Sequence, residues 1–300
     1  MPVPRRAARM LRALLVASTV LIASACGTSG SAQVEAPGSD RSLVHPDELC
    51  DEALESDDTV LVTAAHVVTD GRLGALCFGE PDDTLVEAWD ELVAITPPGQ
   101  LSDLAVVVGF VADEDDDSQT LAFVNALDSE GLAFQMSINL PAFDADRDEA
   151  SLTLAHEFTH VFTQTPDQLD RSVADPAACE THFNGDGCYR PGSLMAAWIE
   201  EFWSDEELAT VDVDADPYPE DGDDRCDVDD SFFGSYAATN PEEDFAEAFS
   251  AFVYRVAPLT AGQRTKLDWL AGQAGLAEFR SQALDAGLGP LENTFEVCGS

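Results

Sequence analysis

The chain has 300 residues, 45% hydrophobic and 24% charged, with a formal net charge of −44. That is enough for one large domain or two small ones with a buried core. Such a charge repels nucleic acid and anionic headgroups, which excludes both as electrostatic partners and reads as solubility.

Residues 1–25 read as an export signal. Arg5, Arg6, Arg9 and Arg12 form a basic start, and the apolar run over 11–22 is too short to span a membrane. Without these four arginines, 10 basic residues face 58 acidic ones. Ile22-Ala23-Ser24-Ala25-Cys26 resembles a bacterial lipobox, with cleavage before Cys26 and lipid attached to it. That implies an extracytoplasmic protein of the cell envelope, anchored to the membrane through Cys26, or secreted if Cys26 carries no lipid. Residues 26–46, rich in Gly, Ser, Ala and Pro, read as a flexible tether, and 47–300 as the folded domain.

Val60 to Val68 resembles the histidine block of trypsin-like serine proteases, and Ser102-Asp103 the aspartate block. Gly192-Ser193 and Gly234-Ser235 lack the glycines of a nucleophile turn, so His66 reads as structural. Helical spacing over 84–95 stops at Pro97-Pro98-Gly99. Strand-like segments follow at 104–111, 120–127 and 132–140, separated by Asp- and Gly-containing turns. They predict a small antiparallel or mixed sheet. A helix around His156 comes next, packed under the sheet, so the fold class is α+β. Regular patterning weakens over 165–235, which reads as an acidic, cysteine-containing insertion with one helix near 194–203. Helical periodicity returns over 242–253 and again over 261–284, giving a mostly helical C-terminal part.

Within the insertion, Asp212, Asp214 and Asp216 alternate as in a calcium-binding loop. Pro217 stands where that loop needs glycine, so a solvated acidic loop is the reading and an irregular Ca²⁺ site the alternative. Of seven cysteines, Cys50, Cys77, Cys179, Cys188, Cys226 and Cys298 remain after Cys26. An even set in an exported chain predicts three disulfides. Cys179 with Cys188 is the local pairing, and the other connectivity stays open.

His156-Glu157-Phe158-Thr159-His160 reads H-E-x-x-H on a helix. Residues four apart share a helix face, so both imidazoles reach one ion, with Glu157 beside it to take a proton from water. Catalytic zinc needs a third protein ligand and an open position. Thr163 and Pro166 occupy the places where a metzincin has its glycine and third histidine, which excludes that arrangement. His182, the only later histidine, lies in a cysteine-flanked loop. A glutamate from a later helix remains. Asn240-Pro241 reads as N-cap and first residue of such a helix, and Glu243 and Glu247 then share a face apart from Phe245, Phe249 and Phe252. Either carboxylate can serve.

His-Glu-Phe-x-His, followed by Ser235-Tyr236-x-x-Thr239-Asn240-x-x-Glu243-x-Phe245-Ala246-Glu247-Ala248-Phe249, resembles gluzincin zinc metallopeptidases of the anthrax lethal factor type. The resemblance covers two short blocks. It implies a zincin-like fold and a peptide or protein substrate. His156, His160 and Glu243 would bind Zn²⁺, with Glu157 as general base. Tyr236 would donate to the oxyanion, and Glu247 would orient a ligand histidine. The gap between blocks is longer than in that family and carries Cys179, Cys188 and Cys226, so its cleft walls do not transfer. The sheet's edge strand and the 165–235 stretch are the expected walls. The alternative is a non-enzymatic surface lipoprotein or binding module whose structural zinc is closed by a fourth protein ligand, such as His182.

Overall fold

Asp70-Gly71 starts the sheet. Both residues have positive φ, 50° and 66°, as a two-residue hairpin turn matched to right-handed strand twist requires. In this computed structural model the described residues are 46–55, 60–112, 120–213, 215–273 and 275–299. The stretch read as an export signal, Cys26 and most of the stretch read as a tether lie outside them. Helix α1 (Pro46–Glu55) precedes the hairpin of β1 (Leu61–Thr69) and β2 (Arg72–Gly79). Helix α2 (Asp83–Ile95) begins where the Asp82 side chain accepts from the Thr84 and Leu85 amides, and ends at Thr96 before Pro97. A short 3₁₀ turn leads into β3 (Leu104–Val111), then β4 (Ala122–Ala126) and β5 (Phe134–Asn139).

The three predicted strands are therefore β3, β4 and β5, and the hairpin adds two more. The sheet order is β2-β1-β3-β5-β4. Only the β3–β5 pairing is parallel, so the sheet is mixed. One face is covered by α1, where Cys50 and Ala53 meet Ala65, Val67, Val106 and Val108. The other face builds the main core.

Helix α3 (Leu140–Ala145) turns the chain into α4 (Arg147–Thr163), whose N-cap Asp146 accepts from the amides of Asp148 and Glu149. Helix α4 is buried almost all round, from Ala150 to Thr163, because it lies between the sheet and a second helical layer. Next come β6 (Leu169–Asp170), β7 (Cys188–Tyr189), α5 (Leu194–Phe202), α6 (Asp205–Leu208) and α7 (Pro219–Cys226). The stretch read as an insertion feeds the same core: Trp198 of α5 is fully buried beside Phe245. The second layer is completed by α8 (Pro241–Val253), α9 (Ala261–Gly272) and α10 (Leu276–Asp285). The single periodic run at 261–284 is thus two helices, broken before Gly275 at φ 90°.

Three disulfides join Cys50 to Cys77, Cys179 to Cys188 and Cys226 to Cys298. They point to an oxidising, extracytoplasmic setting. Among the described residues no helix is long and apolar enough to cross a membrane.

Candidate metal centre

Two helices bring the site together. On α4, His156 and His160 stand one turn apart, with Nε2 atoms 3.4 Å from each other. Helix α8 starts where Asn240 Oδ1 accepts from the Glu243 amide, with Pro241 in its first turn. That cap sets Glu243 against α4. Its Oε2 lies 2.9 Å from His156 Nε2 and 3.8 Å from His160 Nε2.

These three separations fit one ion. Atoms about 2.0–2.1 Å from a tetrahedral centre stand about 3.3–3.4 Å apart, the mean of the triangle seen here. Glu243 Oε2 is buried, accepts no hydrogen bond of good geometry, and is faced by the two imidazoles. An acceptor enclosed in this way is costly unless something positive meets it. Among the described residues, His156, His160 and Glu243 are the only His/Cys/Asp/Glu group arranged to hold a metal. The donor set, two imidazoles and a carboxylate, can bind a divalent ion.

Glu247, Glu157 and Tyr236 surround the triad. Glu247 Oε1 is 3.4 Å from His156 Nδ1, on the far side of the ring from Glu243 Oε2 at Nε2. Burial alone would lower the His156 imidazole, but contacts with Glu243 and Glu247, and their charges, lift it well above the ordinary value. Burial drives His160 down to about 4 against the charge of Glu243. Burial would raise Glu243, yet His160 and His156 hold its carboxyl below the usual range. Neutral imidazoles and a charged carboxylate are the ligand forms, so metal binding must displace the proton that His156 favours. Glu157 is buried and raised to about 7, first by desolvation. The Tyr236 ring centroid lies 5.9 Å from that of His156. Burial, then the charges of Glu243, Glu157 and Glu247, push the Tyr236 hydroxyl up, so it stays a donor.

A cleft of about 390 Å³ opens beside His160 and Glu243. Its walls are Asn184 to Asp186, bounded by the Cys179–Cys188 disulfide, and Val211 to Val213. Residues of the 165–235 stretch share this lining with Gln164, Asn240 and Glu242, and no strand of the five-stranded sheet lines it.

Other candidates are occupied elsewhere. His182 is buried and stacks on Tyr189 at 6.4 Å, so it adds no fourth ligand. His66 Nδ1 meets the Gly74 carbonyl, Ser193 caps α5, and Ser235 donates to Glu296, so no serine triad forms from them. The acidic run continues from Pro219 as α7 and supplies no metal-holding group among the described residues, outside which Asp214 lies.

Sequence reasoning missed Asp244. It is fully buried, its Oδ2 accepts from the indoles of Trp198 and Trp203, and its Oδ1 lies 2.6 Å from Lys266 Nζ. The available signal was Lys266, the chain's only lysine, in a helix amid 58 acids. No protein-family model matches the chain, and no curated protein or solved structure is significantly similar to it.

Proposed function

We propose that the protein is an exported, lipid-anchored, zinc-dependent metallopeptidase with a zincin-like fold of the glutamate-ligand type. The observation that carries this reading is the convergence of His156, His160 and Glu243 from two helices. Glu157 lies in the same helical turn, and no fourth protein ligand appears among the described residues. A structural zinc site would be closed by four protein ligands, whereas three leave a position for water or substrate. Two imidazoles and a carboxylate suit zinc.

A bound zinc ion would supply a Lewis acid and bring the pKa of its water toward neutrality. The chain's own residues do the rest. Glu157 accepts the proton of the attacking water and returns it to the leaving amine. Its desolvated carboxyl, at about 7, is poised to do both near neutral pH. The Tyr236 hydroxyl donates to the oxygen that gains negative charge as the carbonyl is attacked. Glu247 holds the His156 ring from behind, and the cleft receives the peptide.

The test is Glu157→Gln. The variant should bind one equivalent of zinc and cleave a broad peptide library about 10²–10⁴-fold more slowly than wild type, the usual worth of a general base. Wild-type cleavage rates in that variant would sink the assignment.

A further inference from the structure

Three consecutive acids open helix α8, and they point three ways. Successive helical residues are about 100° apart around the axis, so neighbours in sequence face different surroundings. Glu242 interacts with Tyr189 of β7, Glu243 reaches His156, and Asp244 enters the core on another side. Asp244 has no exposed surface, and Lys266 is 1% exposed. Their 2.6 Å ion pair is enclosed by aromatic rings, with the ammonium 4.0 Å from the Phe232 ring centroid. The second oxygen of Asp244 takes the Trp198 and Trp203 indole N–H groups at 3.1 Å and 3.0 Å.

We infer that Asp244 is a positioning residue for the metal centre, fixing the rotation of α8 and hence the place of the Glu243 carboxylate. The inference rests on the metal-binding reading of His156, His160 and Glu243. Buried ion pairs are a poor source of stability, because desolvation offsets the attraction. What this pair and its indoles supply is direction. The donors arrive from α5, from the residue that ends α5, and from α9. A turn of α8 about its axis therefore strains all of them at once. The stakes are set by geometry. A side-chain atom lies about 5–6 Å from a helix axis, so a 10° rotation moves it about 1 Å. Metal–ligand distances hold to about ±0.2 Å. A helix free to roll by a few degrees would carry Glu243 out of range.

Trp203→Phe removes one indole donor while keeping an aromatic ring in place. Asp244→Asn combined with Lys266→Met removes both charges together, which avoids stranding one of them. Each variant and the wild type are titrated with zinc against a chelator, loaded with Co²⁺ for its visible spectrum, and melted without metal. The expected result is a tenfold or greater loss of zinc affinity and a changed Co²⁺ spectrum, the scale seen when partners behind metal ligands are removed. Trp203→Phe should still melt cooperatively without metal, so that its loss of affinity is read in a folded protein. Wild-type affinity and an unaltered Co²⁺ spectrum in Trp203→Phe would overturn the inference while leaving the metal centre standing. A wild-type protein that binds neither Zn²⁺ nor Co²⁺ would overturn the metal centre itself, and this inference with it.

Discussion

At the scale of single residues, the decisive contrast is between the two ends of the His156 ring. Nε2 faces Glu243 and His160, and Nδ1 faces Glu247. Helical spacing placed Glu243 and Glu247 on one face and let either serve, while the resemblance assigned Glu243 to the metal and Glu247 to the ring behind it. A ring with two distinct nitrogens separates them, and only folded coordinates reveal which nitrogen each carboxylate meets. Tyr236 has its own expectation. Tyr236→Phe should lower kcat about 10²-fold, with KM and zinc content nearly unchanged, the usual worth of one oxyanion donor. Steady-state kinetics on the best library peptide measures it. His182 offers a pH effect away from the metal. Burial lowers its imidazole to about 4, while the unfolded chain binds that proton near 6.5. Below about 6.5 the unfolded state therefore takes up a proton that the folded state refuses. Stability should fall between about pH 6.5 and about 4 and then level off for this group. Thermal melts should show a shallower acid loss in His182→Phe, which keeps a ring against Tyr189. H-E-x-x-H was legible because its chemistry is local. Asp244 was not, because its three donors come from distant segments and only Lys266 hinted at a buried partner.

At the scale of elements, helices α2, α4 and α8 could be read from apolar spacing and caps, and β3, β4 and β5 from alternation and turns. The hairpin β1–β2 was passed over, although Asp70-Gly71 between apolar runs is a hairpin signal in its own right. Helix α7 could not be read at all, since Pro219 to Cys226 is nearly devoid of apolar residues and looks like a solvated loop. It has a definite job. Gly222 of α7 lies against the turn that carries Tyr236, so close that an added Cβ would sit 1.8 Å from the Ser235 carbonyl oxygen. Arg225 of the same helix donates to the carbonyls of Ala238 and Thr239. Gly222→Ala must therefore push the helix or the turn aside. The expected cost is about 1–3 kcal/mol of stability, typical of overpacking, read as a lower melting temperature. Cleavage activity should fall further than the melting temperature alone would account for.

At the scale of the whole molecule, the α+β class and an oxidising setting were legible, but connectivity was not. The sequence indicated α+β and three disulfides, yet cysteine pairing depends on which elements the fold brings side by side. Cys179 and Cys188 could be matched because they bracket one short loop. Cys226 and Cys298 are 72 residues apart and meet only because the C-terminal segment returns to α7. A bridge of that span restrains the unfolded chain by about 4 kcal/mol in the chain-entropy view. Replacing both cysteines by Ala should lower the melting temperature substantially. The loss should be larger than for the Cys179–Cys188 pair, whose separation is 9. Calorimetry of the two double variants checks the order.

The three acids at the start of α8 also bear on how this chain tolerates changes of length. Glu242, Glu243 and Asp244 have nearly the same chemistry, so what distinguishes them is helical phase. Deleting one residue between the Asn240 cap and Asp244 would advance each following side chain by about 100°. The position beside His156 would pass to the carboxylate now bound by the indoles, and the core pocket of Lys266 would receive an apolar side chain. Composition would hardly change, yet both jobs would be lost. Insertions in the exposed loops between β6 and β7, by contrast, shift no helix against another. Along this chain the count of residues at 240–244 is thus constrained as well as their identity, because one residue more or fewer reassigns every contact that follows.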